Sequence, residues 1–244
     1  MDTSGHTVLV TGGASGIGAA LAERFLHAGN EVIICGRRAD KLKEARAEHP
    51  GLHTYEVDLS RPESRERLSE RVVKDHPSLD VLVNNAGIQQ RIDLTGEPSW
   101  NHVRQELEIN LEAPIHLSML LIPHLRKQAK PAIINVSSGL AFAPLAATPV
   151  YCATKAAMHS YTQSLRHQLR DTGIRVIELI PPAVDTDLGG PGLHTWGVPL
   201  DEFADAVFAA LKGDDDREIT HQFSSESSRA SRQELDAIFT RMNK

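Results

Sequence analysis

Cysteine is almost missing from this chain: Cys35 and Cys152 are the two among 244 residues. Two cysteines in a chain of this size do not make a disulfide scaffold, which points to a reducing, cytoplasmic setting. No run of about 18 apolar residues occurs, so no membrane span is expected. Met1-Asp2-Thr3 leads almost at once into Thr7-Val8-Leu9-Val10, which leaves no room for a signal peptide. Charge of one sign is not in excess: 26 basic residues face 32 acidic ones, for a net charge of -6. The basic residues are scattered, so there is no electrostatic case for nucleic acid or an anionic membrane as partner. Twelve histidines are present, but no Cys, His and Asp set has zinc-ligand order, and no metal is expected. Repeats, low-complexity tracts and dividing linkers are also absent, which leaves one domain over residues 1–244.

What is present is a rhythm. Hydrophobic residues make up 41% of the chain, as in an ordinary globular protein. Strand-length apolar runs stand at Thr7–Thr11, Glu31–Cys35, His53–Val57, Val81–Asn84, Ala132–Ser137, Arg175–Leu179 and Glu218–Thr220. Amphipathic segments follow from Gly16, Asp40, Pro62, Trp100, Val150 and Asp201, with a last one after Ser225. Alternation of this kind predicts an α/β fold, a parallel sheet of about seven strands with helices on both faces. The strands are nearly continuous apolar runs, as expected when both faces are buried. Gly and Pro recur in Asp187–Pro199, which reads as a mobile loop. Asp214-Asp215-Asp216 reads as a solvated turn.

Thr11-Gly12-Gly13-Ala14-Ser15-Gly16-Ile17-Gly18 joins the first strand to the first helix. Gly12 can turn the chain tightly, Gly16 lets backbone approach a pyrophosphate, and Gly18 lets the helix pack against the sheet. The helix N-terminus offers free N–H groups to phosphate oxygens. A glycine-rich turn without a ligand is the plain alternative. The second strand ends in Cys35-Gly36-Arg37-Arg38. No acid stands there to bind the ribose hydroxyls of NAD, and Arg37 offers a planar, permanent charge suited to a 2′-phosphate. NADP(H) is therefore preferred over NAD(H), with a merely exposed Arg37 as the alternative.

Tyr151 and Lys155 stand one helical turn apart, with Ser138 upstream. That spacing puts phenol and ammonium on one helix face. A nearby cation stabilises phenolate, so Tyr151 is expected to exchange a proton below the usual tyrosine range. Ser138 would donate a hydrogen bond to a carbonyl oxygen as charge develops on it. Each residue alone has a structural reading; their joint occurrence after a phosphate loop points to carbonyl reduction by hydride transfer.

These motifs resemble those of the compact short-chain dehydrogenase/reductases. They comprise the Thr11–Gly18 loop, Asp58, Asn84-Asn85-Ala86-Gly87, Asn110, Ser138, Tyr151-Cys152-Ala153-Thr154-Lys155 and Pro181-Pro182-Ala183-Val184-Asp185-Thr186. Whole segments are similar to a DltE-like branch of that family, named for a member encoded among teichoic-acid D-alanylation genes. The resemblance implies a Rossmann-type doubly wound sheet binding the cofactor through Gly12, Ser15, Gly16, Ile17 and Gly18. It implies that Asp58 contacts the adenine edge, Leu59 flanks the ring, and Asn85, Ala86 and Gly87 pass the adenosine ribose, while Asn84 braces strands. Pro181, Val184 and Thr186 are implied to close over the nicotinamide. Tyr151 is the implied general acid or base, and Lys155 holds ribose hydroxyls and lowers the phenol pKa. Asn110 is implied to kink its helix and hold a water near Lys155.

Pro182 replaces a glycine common in the family and stiffens the backbone where substrate should sit. Leu140, Phe142, Pro182, Leu193, His194 and Trp196 are the candidate substrate contacts, with Ile88-Gln89-Gln90 as further polar candidates. These candidates point to a small to medium, at least partly apolar carbonyl or alcohol as substrate. A homodimer or homotetramer is implied, through the helices around Trp100–Lys127 and Val150–Arg170. Leu107, Leu111, Leu117, Leu121, Leu165 and Leu169 are its candidate contributors, with the monomer core as the alternative. A redox-inactive cofactor sensor or a cell-envelope accessory protein is the rival reading.

Overall fold

The computed structural model describes residues 1–213 and 217–244; the Asp214-Asp215-Asp216 run lies outside them. Seven parallel strands form one sheet in the order β3-β2-β1-β4-β5-β6-β7. They are β1 Thr7–Thr11, β2 Glu31–Gly36, β3 Leu52–Glu56, β4 Leu79–Asn84, β5 Ala132–Val136, β6 Arg175–Ile180 and β7 Glu218–Thr220. Helices α1 (Gly16–His27), α2 (Ala39–Glu48), α3 (Pro62–Asp75), α4 (Trp100–Leu107), α5 (Ala113–Leu125), α6 (Pro149–Leu169) and α7 (Leu200–Leu211) carry the crossovers. A short α8 (Phe223–Ser227) and a longer α9 (Arg232–Met242) end the chain.

Successive strand residues point to opposite faces, and both faces are covered. Val8, Val10, Val32 and Ile34 pack with Leu21 and Phe25 of α1 and Phe203 and Val207 of α7. Leu9, Ile33 and Leu82 pack on the other face with Leu68 of α3, Leu117 and Leu121 of α5, and Leu165 of α6. Leu117, Leu121, Leu165 and Leu169 are thus core residues, the monomer-core alternative of the two open for them. Only Leu107 and Leu111 of that set are half-buried.

The strand order reverses between β1 and β4, and loops after strands on either side of such a point frame a crevice. The glycine loop follows β1, and Asn85-Ala86-Gly87 follows β4. A Cβ on Gly12 would lie 3.0 Å from Ala86 Cα, so the two loops meet at that point. Asn84 Nδ2 donates to Asn135 Oδ1 at 2.9 Å and to Ser118 Oγ at 3.2 Å, bracing β4 against β5.

The long helical pattern from Trp100 is not one α-helix. Glu108–Glu112 forms a π-helical segment between α4 and α5. One extra residue in a turn shifts the helix face, a device that concentrates at functional sites. Asn110 lies within it and is buried. Asn110 therefore stands where the α-helix is interrupted.

Candidate active site

The glycine loop is fixed by its neighbours. Gly12 has φ +66° and Gly16 φ +54°, a region open to glycine at no steric cost. A Cβ on Gly18 would fall 2.3 Å from Asn85 Nδ2 and 2.5 Å from Gly12 O. Asn85 Nδ2 donates to Thr11 O at 2.9 Å, and Thr11 Oγ1 accepts from the N–H groups of Asn85 and Ala86 at 3.0 Å. Asn85 thus clamps the loop. Ser15 stands at the N-cap position of α1 without a side-chain capping bond, and the first turn of α1 holds no acid. Its N-terminal dipole is left unneutralised and suits an anion.

At the end of β2 the structure brings Arg38, not Arg37, to the glycine loop: Arg38 Nη2 donates to Ser15 Oγ at 2.7 Å. Arg37 is exposed, and its charge acts on Asp58. Two guanidinium groups therefore flank this end of the crevice. The sequence reading missed Arg38 because it is adjacent to Arg37, and only the turn into α2 decides which one points inward. Asp58 Oδ1 accepts from Ser60 N and Oγ at 3.0 and 2.8 Å. The Leu59 side chain is largely buried, in the core cluster with Leu68 and Val72.

Ser138, Tyr151 and Lys155 converge. Ser138 follows β5, and its hydroxyl accepts from Leu140 N at 3.1 Å and acts on the nearby Tyr151 phenol. Lys155 Nζ stands 5.6 Å from the Tyr151 ring centroid and donates to Val136 O at 2.8 Å. A Cβ on Gly87 would lie 3.7 Å from Lys155 Nζ and 3.4 Å from Asn110 Oδ1. Asn110 pairs with the Ile88 backbone: Oδ1 accepts from Ile88 N and Nδ2 donates to Ile88 O, each at 2.8 Å. Nδ2 also reaches Thr154 Oγ1 at 3.3 Å. The Asn110 side chain therefore ties the loop after β4 to α6.

Burial dominates the electrostatics here. It pushes the Lys155 ammonium down to about 8, while Glu178 and Glu106 support its charge. Burial holds the Tyr151 phenol above the usual tyrosine range, and the Ser138 hydroxyl opposes that. This corrects the expectation of a lowered phenol: in the protein alone, burial of the phenol sets the direction. Glu106 of α4 is fully buried, and burial raises its carboxyl to about 7, opposed by the Gln90 N–H and by Lys155. The sequence reading passed over Glu106, since an acid on an amphipathic helix ordinarily faces water.

Pro181 O accepts from Gly139 N at 2.8 Å, so the segment after β6 is pinned beside Ser138. Thr186 packs against Gly16: its Cγ2 lies 3.4 Å from where a Gly16 Cβ would stand. Its hydroxyl donates to Val184 O at 3.3 Å. Val184 pairs with Val198, closing the base of the 187–199 loop.

The substrate candidates separate. Leu140 lines a cavity of about 510 Å³ with Leu145, Cys152, Ala153, Ala156 and Phe239. At about 100° per residue, that face of α6 points well away from the Tyr151–Lys155 face, so this cavity is not the reaction crevice. Phe142 stacks edge-on against His159 at 4.6 Å. Pro182 is half-buried, and Leu193 is exposed. Trp196 is 75% exposed, with Nε1 donating to Leu193 O at 3.2 Å. The Trp196 indole is therefore turned largely to solvent rather than packed in the core. His194 is half-buried, with Nδ1 unpartnered among the described residues.

A parallel sheet reversing between β1 and β4, a glycine loop on one side and a serine–tyrosine–lysine cluster on the other define a dinucleotide-dependent oxidoreductase class. The sequence model of the short chain dehydrogenase family matches residues 6–193. The chain belongs to that family and is an oxidoreductase. It is 47% identical to the uncharacterized oxidoreductase DltE of Bacillus subtilis (strain 168), covering 100% of this chain and 98% of that protein. A short chain dehydrogenase from Burkholderia cenocepacia J2315, solved in complex with NADP, superposes with TM-score 0.85 at 29% identity, covering 98% and 99% of the two chains. The 3-ketoacyl-(acyl-carrier-protein) reductase from Brucella melitensis, complexed with NADH, superposes with TM-score 0.80 at 26% identity, covering 90% and 97%. Among the described residues no helix is long and apolar enough to cross a membrane.

Proposed function

We propose that this protein is an NADP(H)-preferring reductase or dehydrogenase that interconverts a ketone or aldehyde with its alcohol. The observation that carries this reading is the convergence of Ser138, Tyr151 and Lys155 beside Gly87, at the crevice where the strand order reverses. The groove has the donors such a cofactor needs: an α1 N-terminus without acids, and Arg37 and Arg38 with Ser15 at the end of β2. When bound, the nicotinamide supplies or accepts the hydride. Gly12, Ser15, Gly16, Ile17 and Gly18 would face the pyrophosphate, and Asp58, Asn85, Ala86 and Gly87 the adenosine side.

Tyr151 keeps its proton until a carbonyl oxygen takes it, since burial raises the phenol. Ser138 aims a hydroxyl at the same oxygen and stabilises charge developing there. Lys155 brings a cation to the phenol and to ribose hydroxyls. Asn110 holds the Gly87–Ile88 backbone against α6. Pro181, Val184 and Thr186 close the nicotinamide end, and the 187–199 loop folds over substrate. NAD(H) is the second cofactor, as the NADH-bound Brucella melitensis neighbour supports. Two buried free cysteines suit a reducing cytoplasm. A homodimer or homotetramer is expected by kinship.

The test is a carbonyl and alcohol panel followed by absorbance of the reduced nicotinamide, with both cofactors. Tyr151→Phe is expected to abolish turnover and leave NADPH binding nearly intact. Carbonyl reduction retained in that variant refutes the assignment. A redox-inactive sensor is disfavoured because Tyr151 and Lys155 are both present and packed together.

A further inference from the structure

Glu106 is a buried acid beside the Tyr151–Lys155 cluster that the proposed chemistry leaves without a task. It lies one helical turn before Asn110, at the end of α4 that packs on α6. Its exposure is 0%. Oε1 accepts from Gln90 N at 3.1 Å, while Oε2 is buried with no partner among the described residues. A carboxylate with an unpartnered buried oxygen is costly, so such a group either holds a proton or stands opposite a compensating charge. The compensating charge is Lys155: Glu106 supports its ammonium, and Lys155 in turn favours the carboxylate. Tyr151 and Cys152, the other titratable groups of α6 that feel Glu106, are both held toward their neutral forms by burial and by its charge. Glu178 of β6 is the second acid acting on Lys155, but it is bonded to Ser137 Oγ at 2.5 Å and to His159 Nδ1 at 2.9 Å. Glu178 is therefore tied down, and Glu106 is the acid left free to change its protonation.

We propose that Glu106 is a positioning residue for hydride transfer: its buried carboxylate, acting through Lys155, keeps the lysine charged, and its protonation withdraws that support. This rests on the proposed reductase reading. Burial raises the Glu106 carboxyl to about 7. Losing it leaves Lys155 with Glu178 alone, so the ammonium discharges at lower pH. An opposite charge in close proximity moves a pKa by about 1–3 pH units, and Glu106→Gln is expected to bring the alkaline limb of kcat/KM down by about one pH unit. The coupling is reciprocal: Lys155→Met removes the cation and raises the pH at which Glu106 titrates.

Two measurements separate this proposal from the reductase reading. Infrared difference spectra of wild type against Glu106→Gln report the protonated carboxylic acid directly and need no turnover. A carboxyl band that fades as pH rises through neutrality, and fades at higher pH in Lys155→Met, supports the coupling. A band that is absent at acidic pH, or that Lys155→Met leaves unmoved, overturns it even if NADPH oxidation is found. The pH profile of NADPH oxidation then tests the role. A displaced alkaline limb in Glu106→Gln, restored toward wild type in Glu106→Asp, supports it. Coincident profiles overturn it. If Glu106→Gln folds poorly, the Lys155→Met infrared titration against the wild-type carboxyl band still decides the coupling. Absence of NADPH oxidation in wild type with an intact infrared titration refutes the reductase reading and, with it, the role in hydride transfer, but not the coupling.

Discussion

Asn110→Ala separates the structural work of this residue from any part in proton movement. In the folded protein its amide satisfies both backbone groups of Ile88 at 2.8 Å and reaches Thr154 at 3.3 Å, at 1% exposure. Alanine removes all three bonds and leaves the Ile88 N–H and C=O without a partner. An orphaned buried polar group costs about 1–3 kcal/mol. Ile88 is half-buried, so water recovers part of that loss and about 2–4 kcal/mol remains for the pair. For a domain of this size each kcal/mol lowers Tm by about 2–4 °C. The assay is urea unfolding at fixed protein concentration, read as a fall in midpoint without a change in slope. Thr154→Val is the control: of the three Asn110 bonds it removes only the longest, together with the Thr154 Oγ1 bond to Tyr151 O at 2.7 Å. An Asn110→Ala variant within about 0.5 kcal/mol of wild type, the range of ordinary surface changes, refutes the clamp. It also detaches Gly87 from Lys155 as a consequence of this residue.

Arg38→Ala is expected to raise KM for NADPH about tenfold, equivalent to about 1.4 kcal/mol, with NADH little changed; Arg37→Ala should do the same, and an unaltered cofactor ratio in both variants refutes the 2′-phosphate assignment. Lys155→Met is expected to raise the unfolding midpoint at pH 7 while abolishing turnover. Burial pushes Lys155 down to about 8, so between that pH and the ordinary lysine range the unfolded chain binds more protons and wild-type stability grows with pH. The advantage of Lys155→Met should therefore shrink as pH rises above 8, and thermal melts across that window check the sign. Gly18→Ala puts a Cβ 2.3 Å from Asn85 Nδ2 and 2.5 Å from Gly12 O. A loss of about 1–3 kcal/mol is expected for such overpacking, with weaker cofactor binding read by fluorescence quenching; an alanine variant with wild-type stability and binding refutes the clamp by Asn85.

Strand and helix order was legible in the sequence because the central strands are short, bounded, β-branched-rich runs buried on both faces. The glycine loop was legible because positive φ and close approach leave few residue choices, and Tyr151 and Lys155 because a helix fixes the relation of residues one turn apart. Tertiary packing decided the rest. It chose Arg38 over Arg37 at Ser15, through the turn from β2 into α2. It turned Trp196 to solvent and put Leu117, Leu121, Leu165 and Leu169 into the core. It interrupted the helix at Glu108–Glu112, which places the Asn110 amide on Ile88. It buried Glu106 and Tyr151, and burial reversed the expected direction of the phenol. Local spacing governs which side chains share a turn or a strand face; desolvation and contacts between distant segments depend on how the layers close, and no single stretch of sequence carries them.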